Sequence, residues 1–183
     1  TPAWHQPGSL DWGIFGWLIM GASFVYAGGC VLNDAFDHEF DLKYNPERPI
    51  PSGEIKVLNV WILGGLFLLI GGLLLFGMAS SSLTLVTCLI GAVIVYDWLH
   101  KKWVGSVWIM GSCRTFLWLM AASAGGLQIM NSVLVTSLCL GGYVVGISLF
   151  ARNESKRSEN SSSSRLAILL LFAAIFNSSP TPS

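Results

Sequence analysis

The sequence predicts an all-α protein, a multi-span transmembrane helical bundle, on three observations. Hydrophobic residues make up 53% of the 183 residues and charged residues only 11%, whereas charged residues average about 25% in soluble domains. Several apolar runs reach roughly the 20 residues that a helix needs to cross a bilayer. Most charged residues lie between these runs rather than within them.

Five apolar runs predict the membrane spans in chain order. They lie at residues 12–32, 57–79, 83–99, 103–127 and 132–151. A sixth run, at 166–176, is shorter than a span and precedes a polar tail, so we expect an incomplete helix there. Residues 1–183 are interpreted as one partial membrane domain. The chain begins with Thr and shows no signal-peptide pattern, and we interpret it as a piece of a longer protein.

The basic residues predict the orientation of the bundle. If successive spans alternate in direction, the segments after the first, third and fifth spans share one side, and these segments hold the Lys and Arg residues. The segments at 1–11, 80–82 and 128–131 hold none. The positive-inside rule therefore places the basic side in the cytoplasm. The net charge is zero and no basic stripe is present, which argues against nucleic acid as a partner.

An acidic segment follows the first span directly. Asp34, Asp37 and Asp41 are spaced three and four residues apart, and Asn33 lies four residues before Asp37. No Pro or Gly follows them before Pro46. If the helix continues, these side chains share one face over a rise of roughly 10 Å. Such a column of like charges opposes helix formation unless a cation lies against it.

Carboxylate oxygens in this pattern suit Mg²⁺, which typically binds one or two carboxylates and takes its other ligands from water and substrate phosphates. The segment therefore predicts a metal–diphosphate site in outline. A solvated acidic helix end is the alternative. An EF-hand is excluded because the spacing of its calcium loop is absent.

Two basic segments are candidates for binding diphosphate oxygens. Arg48 stands in "ERPIPSGEI", where two prolines and a glycine predict a rigid turn. "YDWLHKK" brings Tyr96, His100, Lys101 and Lys102 to the end of the third span. The alternatives are an interfacial arginine in a plain turn and lysines that only set the topology.

Two charges lie within predicted spans. Arg114 falls in the fourth span, where an ionisable residue normally faces the bundle interior, and Asp97 lies near the end of the third. A structural Arg114–Asp97 pair and a substrate-binding Arg114 are both open.

The order of Asn33-Asp34-x-x-Asp37-x-x-x-Asp41, "RPIPSG", a span, and a span ending in tyrosine and basic residues resembles the UbiA family of intramembrane prenyltransferases. The resemblance covers nearly the whole chain but leaves out the family's first and last helices. It implies a helical bundle around a central cavity that opens to the cytoplasmic side.

The resemblance also implies a chemistry. Mg²⁺ holds a prenyl diphosphate, the allylic C–O bond ionises, and the prenyl cation passes to a lipophilic or aromatic acceptor. The reaction takes place within the membrane, where membrane lipid is a further partner. On the matching positions, the resemblance implies that Mg²⁺ would be held by Asn33, Asp34, Asp37 and Asp41, of which the three aspartates would be the catalytic carboxylates. Arg48 with Lys101 or Lys102 would bind diphosphate.

The chain departs from the family pattern after the fifth span. The family normally carries a second Asp-rich motif there, but this chain has "GGYVVGISLFARNESKR", with no Asp. Arg152 is then a candidate for the diphosphate, and Glu154 for a metal ligand. The alternative function is a non-catalytic UbiA-like protein that binds or transports a prenyl lipid or a biosynthetic precursor.

Overall fold

The structure, a computed structural model, describes residues 11–124 and 131–156, with side chains as far as Ala151. This part of the chain contains helices and no strand, and the all-α fold class is confirmed. The six helices are α1 (Trp12–Phe36), α2 (His38–Tyr44), α3 (Val57–Leu73), α4 (Leu83–Leu99), α5 (Ser106–Ala122) and α6 (Asn131–Lys156). A π-helical turn, Leu74–Met78, extends α3.

In the part of the chain that the structure describes, three helical segments are long and apolar enough to cross a membrane: Trp12–Phe36, Val57–Met78 and Asn131–Ala151. Helices α4 and α5 have 17 residues each, which is the lower end of the spanning range of about 17–25 residues. The predicted sixth run at 166–176 lies outside the described residues.

Helix α5 is shorter than the predicted span 103–127. It begins only at Ser106, because the chain turns at Lys102–Gly105. At its other end Ser123 closes the helix: its hydroxyl donates to the carbonyl oxygen of Met120 (2.7 Å) and accepts from the N–H of Ser82 (3.0 Å). These two hydrogen bonds join the end of α5 to the start of α4, whereas the apolar composition continues beyond Ser123.

Glycines allow α1 and α3 to pack closely. A Cβ atom on Gly71 of α3 would lie 2.8 Å from the carbonyl oxygen of Gly21 and 2.8 Å from the nitrogen of Val25, both on the backbone of α1. Small residues at such contacts let membrane helices approach one another. The buried core beside this contact contains Val25, Leu32, Leu68, Leu75, Val86, Leu89 and Met120.

The order of contacts positions the acidic segment. Helix α1 packs against both α3 and α4, α4 packs against α5, and α5 packs against α6. Because α1 and α4 are separated by one intervening antiparallel helix, they run in the same direction and their C-terminal ends lie together. The acidic segment and the "YDWLHKK" segment therefore meet at one end of the bundle.

Candidate functional site

The acidic segment is nearly continuous helix with a turn at Asp37. Helix α1 ends at Phe36 and α2 begins at His38. The N–H of Asp37 still donates to the carbonyl oxygen of Asn33 (3.0 Å), and the N–H of Asp41 donates to that of Asp37 (2.8 Å). The predicted helical spacing is thus preserved through the turn. Asp37 and Asp41 are buried, whereas Asp34 is exposed.

Arg48 connects the turn after α2 to two of these carboxylates. Its Nη1 lies 2.7 Å from Oδ2 of Asp41 and 3.8 Å from Oδ1 of Asp34. The turn is held by backbone hydrogen bonds from the N–H of Arg48 to Asn45 (3.1 Å) and from that of Ser52 to Arg48 (2.9 Å). Arg48 therefore has a defined position beside the acidic segment.

Asp41 is the most constrained carboxylate of the segment. Besides the bond from Arg48, its Oδ1 accepts from Nδ2 of Asn45 at 2.7 Å. Burial raises the pKa of Asp41, but the hydrogen bonds from Asn45 and Arg48 outweigh burial, so the pKa lies below its ordinary value. The hydrogen bond to Asp41 raises the pKa of Arg48. Both groups are therefore held in their charged forms.

Lys101, in the segment after α4, supplies the second cation of the site. Its Nζ lies 2.9 Å from Oδ2 of Asp37 and 3.8 Å from Oδ1 of Asp41. The same ammonium group lies 3.9 Å from the centroid of the Phe40 ring, in a cation–π contact. Its neighbour His100 places Nε2 3.4 Å from Oδ1 of Asp37. The segment after α4 thus lies directly against the acidic segment.

Lys102 is oriented differently from Lys101. Its Nζ lies 5.5 Å from the centroid of the Trp98 ring, and it forms no ion pair with a carboxylate in the part of the chain that the structure describes. Tyr96 stacks on His100, with ring centroids 5.5 Å apart and planes 27° apart. Of the two lysines, Lys101 is therefore the one that reaches the carboxylates directly.

The predicted Arg114–Asp97 pair is not formed. Asp97 is buried and accepts instead from Nδ2 of Asn33 at 3.2 Å. Arg114 is exposed on α5 and forms no ion pair among the described residues. The reason is helix rotation: Asp97 faces α1, and a neutral amide meets it there. Binding of diphosphate by Arg114 stays a prediction.

The remaining two candidates fall at the end of α6. Arg152 and Glu154 belong to its helical backbone, but their side chains lie outside the described residues. Their predicted roles with diphosphate and metal stay predictions.

A cavity of about 460 Å³ lies beside the carboxylates, between α1, the turn that carries Arg48 and the first turns of α3. Its polar end is formed by Asp34, Asp41 and Arg48. All but one of the other lining residues are apolar: Val31, Pro49, Ile50, Pro51, Ile55, Val60 and Leu63. The exception is Asn59. A ligand with a charged head and a hydrocarbon chain matches this division.

The carboxylates do not form a complete metal shell by themselves. Among the described residues, no group of three or more His, Cys, Asp or Glu side chains is placed to hold a metal ion. Mg²⁺ usually takes only one or two carboxylates, with water and phosphate as its other ligands. Asp34, exposed and with its nearest ion-pair partner 3.8 Å away, is the most available donor, so the donor set fits Mg²⁺ bound together with a phosphate ligand.

Sequence reasoning missed two contacts of this site, whereas His100, which it grouped with the lysines of "YDWLHKK", does contact Asp37. Asn45 fixes Asp41, and its position four residues later on the same helical face was a usable signal. Asp97 bonds to Asn33. The last contact joins residues 64 positions apart, and no local pattern in the sequence indicates it.

The chain is similar to one protein family and to several known proteins. The model of the UbiA prenyltransferase family matches residues 2–177. The chain is 31% identical to a 4-hydroxybenzoate octaprenyltransferase of Photobacterium profundum, over 66% of this chain and 43% of that protein. It is 41% identical to a digeranylgeranylglyceryl phosphate synthase of Ignicoccus hospitalis, over 41% of this chain and 24% of that protein.

A third relative is a protoheme IX farnesyltransferase of Baumannia cicadellinicola, 32% identical over 52% of this chain and 33% of that protein. In each case the matched region spans less than half the length of the curated relative. No solved structure matches the chain.

Proposed function

Because the chain belongs to the UbiA prenyltransferase family, we propose that it is a Mg²⁺-dependent prenyltransferase that moves an isoprenyl group from a prenyl diphosphate to a lipophilic or aromatic acceptor within the membrane. One observation carries the proposal. Three carboxylates and two permanent cations converge where membrane-length helices end, beside a largely apolar cavity. Membrane proteins rarely place so many charges together without a function.

The balance of charge supports the metal requirement. Asp34, Asp37 and Asp41 outnumber the permanent cations Arg48 and Lys101 by three to two. A polyanionic diphosphate is repelled by such a cluster unless a divalent cation joins it. Asp34, Asp37 and Asp41, with Asn33, are the residues that would hold this cation. Mg²⁺, when bound, neutralises charge on the diphosphate and so favours its departure.

The two cations bind the leaving group in the proposed reaction. The C–O bond of the prenyl diphosphate breaks with both electrons leaving on the diphosphate, the acceptor forms a bond to the prenyl carbon, and the acceptor loses a proton. Arg48 and Lys101 donate to the diphosphate oxygens, where negative charge develops. Arg48 is suited to two oxygens at once because its guanidinium is a planar fork.

The apolar walls perform the other part of the chemistry. Val31, Val60 and Leu63 line the cavity beside the charged end. A hydrocarbon chain lies against such side chains without the cost of exposure to water. The exclusion of water protects a reactive prenyl cation from hydrolysis. The relatives' names refer to a hydroxybenzoate, a protoheme and a glyceryl phosphate, so the proposal names the donor and leaves the acceptor as a class.

The first experiment measures diphosphate release. The full-length protein in nanodiscs is supplied with geranyl, farnesyl or geranylgeranyl diphosphate, with and without Mg²⁺. We expect release that requires Mg²⁺ and is abolished in Asp37→Asn. Glu54→Gln is the control, because Glu54 is an exposed residue of the turn that lies outside the ion cluster. Equal losses in both variants would indicate a general electrostatic effect and contradict a defined site.

Adjacent lysines provide a matched pair for the diphosphate contact. Lys101→Met should lower kcat/KM about 100-fold, as removal of one preorganised donor does. Lys102→Met should leave it close to the unmodified value, because Lys102 lies over Trp98 and not beside the carboxylates. An equal loss from both substitutions would contradict the assignment of Lys101 as the diphosphate ligand.

A second candidate function is a non-catalytic carrier of a prenyl lipid or precursor. It is favoured by one observation, that α6 contains no Asp where the family's second Asp-rich motif is expected. The same assay separates the two functions. Mg²⁺-dependent binding of the prenyl diphosphate without release would favour the carrier.

A further inference from the structure

Asp97 is a buried carboxylate that the proposed mechanism does not use. It lies near the C-terminal end of α4, is only 5% exposed, and its Oδ2 has no hydrogen-bond partner among the described residues. A buried carboxylate is costly unless it is bonded. Arg114 does not pair with Asp97, so the hydrogen bond from Asn33 of α1 is the contact that stabilises the buried carboxylate.

That contact fixes the orientation of the Asn33 amide. Nδ2 of Asn33 lies 3.2 Å from Oδ1 of Asp97. A carboxylate only accepts hydrogen bonds, so the amide must present its NH₂ group to Asp97. The carbonyl oxygen, which is the end of the amide able to bind a cation, is thereby kept free of α4.

The backbone of Asp97 supports a second residue of the site. Its carbonyl oxygen lies 2.9 Å from Nδ1 of His100. Because a carbonyl only accepts, Nδ1 is the donor, and the ring then presents Nε2 to Asp37 at 3.4 Å. One residue of α4 thus reaches Asn33 through its side chain and Asp37 through His100.

Helix α4 is also held closely against α1 at this level. A Cβ atom on Gly29 would lie 2.8 Å from Cγ1 of Val93 and 4.0 Å from Oδ2 of Asp97. The absence of a side chain at Gly29 lets α4 approach, and the close contact limits the movement of Asp97 relative to Asn33.

We propose that Asp97 is a positioning residue of the metal–diphosphate site, which orients the Asn33 amide so that its carbonyl oxygen is available to the cation. This inference rests on the proposed function. Groups that orient metal ligands in this way typically change metal affinity by about 10–100-fold when they are removed. The role is indirect, since Asp97 acts through Asn33.

The test compares Asp97→Leu with Asp97→Asn in the full-length protein. Leucine has a similar volume but accepts no hydrogen bond, whereas the oxygen of an asparagine amide still accepts from Asn33. The readout is binding of a non-ionisable farnesyl thiolodiphosphate as Mg²⁺ is titrated. We expect Asp97→Leu to raise the Mg²⁺ concentration at half-maximal binding about tenfold. In Asp97→Asn this concentration should stay close to that of the unmodified protein.

Two measurements distinguish the positioning role of Asp97 from a general structural role. At saturating Mg²⁺, Asp97→Leu should bind the analogue nearly as the unmodified protein does, and in an Asn33→Ala background it should add no further effect. Ser123→Ala is the control, since it removes a buried hydrogen bond at the other end of α4 and α5. It should lower the melting temperature without changing the Mg²⁺ requirement.

The outcomes distinguish the two proposals. Normal Mg²⁺ dependence in Asp97→Leu, or an undiminished effect in the Asn33→Ala background, would overturn the role of Asp97 alone. Failure of the unmodified protein to bind the analogue with Mg²⁺ would overturn the proposed function and, with it, the positioning role.

Discussion

Asp34 and Asp41 have the same side chain but very different surroundings. Asp41 is 2% exposed, and both of its oxygens accept short hydrogen bonds, from Asn45 and Arg48. Asp34 is exposed and its ion-pair distance to Arg48 is 3.8 Å. We infer that Asp41 holds the turn after α2 in place, while Asp34 is the carboxylate that a ligand reaches first.

This difference predicts separate effects on stability. At pH 7, Asp41→Asn should lower the free energy of unfolding by about 1.5–3 kcal/mol, the range for hydrogen bonds to charged groups. Asp34→Asn should change it little, since exposed pairs contribute little. The measurement is thermal unfolding in nanodiscs without divalent cations, followed by tryptophan fluorescence.

The effect of Asp41 should also depend on pH. Its pKa in the folded protein is lowered, by hydrogen bonds that outweigh burial, so its contribution to stability is present above the ordinary value of about 3.9 and is lost as the pH falls through the lowered pKa. The melting temperatures of the unmodified protein and Asp41→Asn should therefore converge below about pH 4. A gap that stays constant down to pH 3 would contradict this account.

The residues of the site were predictable to different degrees. The spacing of Asp34, Asp37 and Asp41 predicted a shared helical face, and the structure brings all three to the two cations. The sequence did not distinguish Lys101 from Lys102, because adjacent residues at the end of an apolar helix differ only in rotation. The sequence also left open whether Asp97 pairs with Arg114, since apolar faces all round leave the rotation of α4 undetermined; the structure pairs Asp97 with Asn33 instead.

At the scale of the helices, the close contact between α1 and α3 positions the two halves of the ion cluster. Helix α1 carries Asp34 and leads into Asp41, and the turn with Arg48 leads into α3. The contact between Gly71 and the backbone at Gly21 and Val25 therefore helps to fix the position of one half of the site relative to the other. Apolar runs predicted these helices well, but α5 ends at Ala122, before the predicted bound at residue 127, because hydropathy does not locate helix ends.

Two glycines of α3 test this contact. A Cβ atom on Gly71 would lie 2.8 Å from backbone atoms of α1, which cannot turn aside as a side chain can, whereas one on Gly65 would have no atom within 4 Å. Gly71→Ala should destabilise the protein by about 1–3 kcal/mol, the usual cost of overpacking. Gly65→Ala should cause no loss, because alanine is the better helix former. Thermal unfolding measures both, and equal melting temperatures would contradict the packing of α1 on α3.

At the scale of the whole molecule, the described charges of the site lie at one end of the bundle. Arg48 stands between α2 and α3, and Lys101 between α4 and α5, yet both contact Asp41. The sequence predicted this convergence from the alternation of spans, and the contacts agree with it. The side of the membrane is a separate matter, for which the distribution of Lys and Arg predicts the cytoplasm.

Cysteine labelling tests that orientation. Glu54 precedes α3 and Ser80 follows its π-helical turn, and both are exposed. The segment between them, Val57–Met78, has 22 residues and a length of roughly 33 Å, enough to cross a hydrocarbon core of about 30 Å. In a variant with Cys30, Cys88, Cys113 and Cys139 replaced by serine, a membrane-impermeant maleimide should label Ser80→Cys in intact bacterial cells. It should label Glu54→Cys only after the cells are opened. The reverse pattern would place the acidic segment outside the cytoplasm, and labelling of both sites in intact cells would contradict α3 as a membrane span.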